Sequence, residues 1–500
     1  MTSIIIGKTA AGAAIEMPLR LANRHGLVTG STGGGKTVTL QTMAEGFSRA
    51  GVPVFAADIK GDLSGLAQIG EEAGRFADAA KAAGFDRTPQ RFPVRFWDLF
   101  GRDGLPIRTS VEDMGPLLLS RLLGLNDAQE GTLVIAMKHA TDRGFRLLDL
   151  EDLSAALRDI QDDAEDVRDR YGNFTGASVG VIQRQMLVLM GQGGDALFGE
   201  PAINIKDLLS VDDIGRGVIN LLSAERLIET PRLYGAFLLY LLTKLFEVLP
   251  EVGDLEKPKL VFFFDEAHML FREASPRLME TIERVVRLIR SKGVGVYFVS
   301  QSPLDAPPAV LAQLGNRVQH ALRAFTPQTQ RLVKAVAQTF RSTDAKALPD
   351  VIMGLGIGEA LVSLIQSDGS PAVAQVARIA PPAAQVGPIG PDERHLIMRA
   401  DALKPRYGEK LSRLEQKARF LTKGMSPHEV AALSGAAERT AEIVARESAW
   451  LRSELMPVEW EEPEIPAPVT YVEPRSARWA LMGLCFAIIG AIVIVGAIAT

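Results

Sequence analysis

Gly30, Gly35, Lys36 and Thr37, within the stretch 25–37, fit the spacing G-x-x-x-x-G-K-[ST]. Glycines let a backbone curl until successive N–H groups face phosphate oxygens, so Gly30, Ser31, Thr32, Gly33, Gly34 and Gly35 read as a phosphate cradle. Lys36 adds a flexible ammonium for the β- and γ-phosphates, and the Thr37 hydroxyl is a ligand for Mg²⁺. Apolar Leu27 and Val28 predict a short strand before the loop. Val38, Leu40, Met43 and Ala44 predict a helix after it, whose N-terminus favours anions. Gly7, Lys8 and Thr9 repeat the last three letters, but Thr2 stands where the first glycine is needed, so that copy is set aside.

A phosphate cradle binds nucleotide; cleavage needs acids. Leu260–Phe264 is a five-residue apolar run that predicts a buried strand, with Asp265 and Glu266 emerging at its carboxyl end, where parallel sheets bind ligands. Asp265 is placed to hold Mg²⁺, normally through a water, and Glu266 to orient and deprotonate an attacking water. Two ordinary acids after a strand would look the same. Asp265 to His268 spell DEAH, but the other signatures of a DEAH-box helicase are not evident, and His268 reads as a helix-start residue. The next predicted strand, Val294–Ser300, ends at Gln301, an amide suited to sensing the γ-phosphate or lytic water; capping a loop before Pro303 is its plainer role. Arg317 and Arg323 follow on the strand predicted over Arg317–Arg323. Either could neutralise transition-state charge, in a neighbouring subunit's site, and Arg317 is preferred. An arginine opening a strand is otherwise a surface residue.

These groups need elements to carry them. Val52–Asp58 predicts a buried strand ending in an acid, with Ile59–Asp62 turning beside the site, and Val94–Trp97 predicts another strand. Residues 109–195 look mainly helical, with Thr109 and Glu112 as a capping box. Gly191, Gly193 and Ala196 resemble a dinucleotide fingerprint but lack a strand before them and read as a loop. The acidic run Asp159–Asp169 reads as a solvated helix face or loop, not a binding site. Gly217–Leu222 returns to strand character, and Pro231 suits the first turn of a long apolar helix through Leu249. Glu359–Leu364 and Ala372–Val376 predict a closing hairpin about a turn at Ser367–Ser370. Strands alternating with helices mean an α/β fold with a mainly parallel sheet. The predicted organisation is core over 1–108, a mainly helical insertion over 109–216, core again over 217–380, and a linker over 381–391. A helical region over 392–456 and a Pro-rich spacer over 457–478 lead to a hydrophobic terminal helix over 479–500.

That tail holds no charged residue from Trp479 to Thr500. As a helix it would be about 33 Å long, against a hydrocarbon core of about 30 Å. Arg475 and Arg478 precede it and predict a cytoplasmic body anchored to the inner membrane; a buried terminal helix is the alternative. The N-terminal residues lack the pattern of a signal peptide. Net charge is −5, so no global basic field draws nucleic acid, and DNA binding would need a locally basic channel. A single cysteine, Cys485, excludes internal disulfides and a cysteine-rich metal site, and six histidines show no ligand spacing.

Taken in order, His25–Thr37, Asp58–Asp62, Phe264–His268, Ser300–Pro303, Asn316-Arg317 and Gly358–Leu361 make the chain resemble the HerA/FtsK superfamily of P-loop motor ATPases. Over roughly residues 1–380 it is most similar to bacterial HerA-like proteins of the YjgR type. The resemblance implies a RecA-like core with an additional strand between the two Walker strands, and ATP with Mg²⁺ as cofactors. It also implies a homo-oligomeric, hexameric ring with sites between subunits, and movement of double-stranded DNA. The hydrophobic tail departs from those relatives. Two competing readings are a membrane-tethered ATP-dependent scaffold and an ATPase that remodels proteins.

Overall fold

The computed structural model describes residues 1–408 apart from 254 and 272–275. The spacer, the hydrophobic tail 479–500 and most of the helical region 392–456 lie outside the described residues. Among the described residues no helix is long and apolar enough to cross a membrane.

Twelve strands of the described residues form one sheet. In chain order they are β1 (Ser3–Thr9), β2 (Ala14–Pro18), β3 (Gly26–Thr29), β4 (Val54–Asp58), β5 (Val94–Asp98), β6 (Leu105–Pro106), β7 (Ile219–Ser223), β8 (Leu260–Phe264), β9 (Val294–Ser300), β10 (Asn316–Gln319), β11 (Glu359–Ser363) and β12 (Gln375–Ile379). Across the sheet the order is β2-β1-β12-β11-β10-β3-β9-β8-β4-β7-β5-β6. From β10 to β6 all neighbours are parallel; β11, β12, β1 and β2 extend the sheet antiparallel. β9 therefore lies between β3 and β8.

The central strands are apolar because helices cover both their faces. Every residue of β4, β8 and β9 is buried. Alternation sends Phe262 and Phe264 to one core and Val261 and Phe263 to the other. On the first face lie α3 (Val111–Leu123), α4 (Asp127–Asp142), α5 (Leu150–Asp162), α7 (Gly176–Gly191) and the apolar α8 (Pro231–Val248), with α6 (Ala164–Tyr171) joining α5 to α7. On the second face lies α1 (Lys36–Arg49), whose Phe47 packs among Phe263 and Tyr297. The short α2 (Arg75–Ala82) follows β4.

Several boundaries differ from expectation. The N-cap of α3 is Ser110, which accepts from the Asp113 N–H; Thr109 does not cap it, and the Glu112 carboxylate accepts from Leu147 N–H and Arg146. β10 stops at Gln319, because the next residues leave the sheet to back the glycine-rich loop that follows β3. β12 runs over Gln375–Ile379, later than predicted, because it also pairs with β1 and draws the N-terminal hairpin into the sheet. Pro381–Pro391, expected as a linker, is strapped along α1. Buried Glu45 accepts from the N–H groups of Ala383 (2.8 Å) and Ala384 (2.9 Å), Thr42 donates to the Ala380 carbonyl, and Gln41 Nε2 donates to that of Gln385.

Candidate functional site

The glycine loop leaves the carboxyl end of β3 and turns directly into α1, which begins at Lys36. Gly35 caps the helix at φ +112°, a conformation side chains rarely adopt. Gly30, at φ +149°, lies so close to His320 that an added Cβ would stand 2.5 Å from the histidine Cβ. Lys36 Nζ donates to the carbonyls of Gly30 (2.6 Å) and Ser31 (3.3 Å), which folds the ammonium over its own loop; burial lowers its pKa. Thr32, Gly33, Gly35, Lys36 and Thr37 line a cavity of about 660 Å³. Gly30, Ser31 and Gly34 are not among its lining residues. Ser31 N–H donates to the Ala321 carbonyl, and an added Cβ on Gly34 would also meet His320.

Asp265 and Glu266 leave the carboxyl end of β8 and line the same cavity. The Asp265 carbonyl accepts from the buried Tyr234 hydroxyl of α8 at 2.6 Å, which fixes the chain where it leaves the sheet. Glu266 then adopts φ +46°, unusual outside glycine, and its N–H donates to Asp265 Oδ1 at 2.9 Å. Glu266 Oε2 is buried without a hydrogen-bond partner, with His268 Nδ1 3.3 Å away but outside bonding geometry. Asp58, at the end of β4, faces the cavity beside them and accepts from the Leu63 N–H at 3.0 Å. Burial pushes the Asp58 pKa to about 7 and that of Asp265 to about 6; the Asp265 charge adds to the first shift and the Glu266 charge to the second.

The loop and the acid pair, 228 residues apart by number, thus meet around one cavity. β9 alone separates β3 from β8 in the sheet, so the two loops start about 10 Å apart at ordinary strand spacing. Oxygen donors from Thr37 and from crowded, dehydrated carboxylates, one oxygen of which lacks a partner, fit a hard divalent cation such as Mg²⁺.

The structure does not bring every predicted residue to this cavity. Gln301 follows β9 and is exposed, and it is not a lining residue. Arg317 pairs in register with Leu27, three residues before Gly30, and its guanidinium donates to the carbonyls of Leu311, Leu314 and Thr339. The Arg323 main-chain N–H donates to Ser31 Oγ, while its guanidinium donates to the Met353 carbonyl.

Asp58, Tyr234 and His320 were not assigned site roles from sequence. Asp58 had a legible signal, an acid ending a buried parallel strand. The other two act on residues distant in sequence. His25, buried at φ +58°, is structural: Nδ1 accepts from the Val296 N–H (3.0 Å), so Nε2 carries the proton and donates to the Val286 carbonyl (2.8 Å). Burial lowers its pKa to about 4.

Among known proteins, the model of the helicase HerA-like C-terminal family matches residues 3–473. A probable helicase, MJECL08, of Methanocaldococcus jannaschii is 29% identical over 157 residues; the match covers 30% of this chain and only 29% of that protein. The plasmid coupling protein TrwB, solved with a non-hydrolysable ATP analogue, is similar in fold, at 16% identity and a TM-score of 0.50 over 78% of this chain and 91% of that one. VirB4 of Thermoanaerobacter pseudethanolicus gives 15% identity and a TM-score of 0.47, over 76% and 96% respectively.

Proposed function

The chain belongs to the helicase HerA-like C-terminal family, and we propose that it is an ATPase motor that couples ATP hydrolysis to movement along duplex DNA. One observation carries the catalytic part: the Lys36 loop and the Asp265–Glu266 pair open onto one cavity. In this reading Lys36 leaves the Gly30 carbonyl for the β- and γ-phosphates, and the loop N–H groups hold their oxygens. Thr37 and Asp265 would hold Mg²⁺, which would supply positive charge to neutralise the phosphates. Glu266 aligns a water and takes its proton. Its unpartnered Oε2 supports that role, since no hydrogen bond has to break first.

Family membership and the TrwB-like fold support a motor; duplex DNA as the track, a hexameric ring and a membrane-anchored tail are the finer parts of the proposal. The test is ATPase turnover with duplex DNA, with single-stranded RNA and without polymer. Stimulation by duplex DNA that fades with added salt is expected. Turnover indifferent to DNA would favour a scaffold or protein-remodelling ATPase. Deleting residues 476–500 should release the protein from membranes, and continued association would remove the anchor.

A further inference from the structure

His320 begins where β10 leaves the sheet, and its main-chain N–H donates to the Thr29 carbonyl at 2.7 Å, the last residue before the glycine loop. Its imidazole is buried between two elements. Nδ1 lies 3.0 Å from the Glu359 carbonyl, at the start of β11, and Nε2 lies 2.8 Å from Thr39 Oγ1, on the first turn of α1. A carbonyl only accepts, so Nδ1 carries the proton and Nε2 accepts from the threonine hydroxyl. Burial lowers its pKa to about 4, with the nearby Lys36 charge acting in the same direction, so the ring is neutral at physiological pH. The glycines of the loop close directly on this side chain. Added Cβ atoms at Gly30, Gly34 and Gly35 would stand 2.5, 3.4 and 3.3 Å from its atoms.

We propose that His320 is the positioning residue of the phosphate loop, a rigid plate that holds the loop N–H groups in their phosphate-binding orientation and ties that orientation to β11. This rests on the nucleotide-site reading above and adds to it a residue that would touch no nucleotide. A side chain that merely filled space would need no oriented pair of bonds. Here one tautomer joins the helix that starts at Lys36 to the strand that follows Gly358, itself a cavity-lining residue. The ring cannot shift without loosening one bond or opening space beneath Gly30.

The test measures binding of a fluorescent ADP with Mg²⁺, together with kcat, KM and thermal melting, in the full chain. His320→Ala should melt cooperatively yet bind nucleotide at least ~10-fold more weakly, the loss of one to two oriented hydrogen bonds. His320→Gln, whose amide oxygen can accept from Thr39, should recover part of that affinity. Thr39→Val, which deletes the hydroxyl at constant shape, should raise KM and the dissociation constant a few-fold while kcat changes less. A role in packing alone would lower the melting temperature of these variants and leave affinity and KM at wild-type values; that result overturns the proposal. If His320→Ala does not fold, Thr39→Val decides, and unchanged affinity there overturns it equally. A wild-type chain that binds no nucleotide would instead refute the site reading itself.

Discussion

Glu266→Gln changes a carboxylate into an amide of nearly the same shape and so tests chemistry with little disturbance of packing. The carboxylate sits on a backbone already held at φ +46° and anchored by the Asp265 side chain and the Tyr234 hydroxyl, neither of which the substitution removes. An amide cannot take a proton from water, so the general-base contribution, roughly 10²–10⁴-fold, should leave kcat. That is about 3–5 kcal/mol of barrier. Binding should move the other way or not at all. The Glu266 charge is the second cause, after burial, of the raised Asp265 pKa, so its removal lets Asp265 ionise more readily and should leave Mg²⁺ binding intact. The assay pairs single-turnover hydrolysis with equilibrium nucleotide binding, each across a Mg²⁺ series. A variant with near wild-type turnover would remove Glu266 as the base. A variant whose whole defect lay in Mg²⁺ affinity would make it an electrostatic partner of Asp265 instead.

Three further outcomes follow from the same geometry. Asp58 in the folded protein holds its proton up to about pH 7, above an ordinary aspartate, so its contribution to stability is full below about pH 4 and lost as pH rises through 7. The loss is on the order of 4 kcal/mol. Asp58→Asn should lessen the fall of the melting temperature of the nucleotide-free protein across that window, leaving the smaller part due to Asp265, and an unchanged pH profile would refute the assignment. Arg317→Ala removes donors to the carbonyls of Leu311, Leu314 and Thr339 and should cost roughly 2–3 kcal/mol in denaturant unfolding. If Arg317 also reaches a neighbouring subunit's site, mixing Arg317→Ala with Lys36→Ala subunits should restore turnover that neither has alone; no recovery confines it to its structural role. Glu45→Ala leaves the buried N–H groups of Ala383 and Ala384 without their acceptor and should lower stability by roughly 2–4 kcal/mol, with protease sensitivity appearing first around 381–390.

What could be read from the sequence divides along a physical line. The loop at Gly30–Thr37 and the acids after Leu260–Phe264 are encoded locally. Glycine freedom, the lysine–threonine pair and an apolar run ending in carboxylates each act through neighbours in the chain, and the sheet delivers both segments to one edge. Tertiary pairing decides the rest. Thr39 and His320 are 281 residues apart, and nothing around either marks the bond between them. Tyr234 looked like one more apolar residue of α8 until its hydroxyl met the Asp265 carbonyl. Pro381–Pro391 has linker composition, yet a buried carboxylate on α1 fixes it in place. Arg317 has the charge for a trans role, yet the three carbonyls its guanidinium binds, those of Leu311, Leu314 and Thr339, are marked by nothing around it in the sequence. The groups proposed to meet nucleotide were therefore legible, whereas those that hold them in place depend on strand order. That order makes the site: one intervening strand, β9, sets the two loops about 10 Å apart, and inserting or removing a strand there would change the separation by about 5 Å. In the proposed mechanism Lys36 and Glu266 both work at the γ-phosphate, one on its oxygens and the other on the attacking water, so that spacing would be as much a part of the chemistry as either side chain.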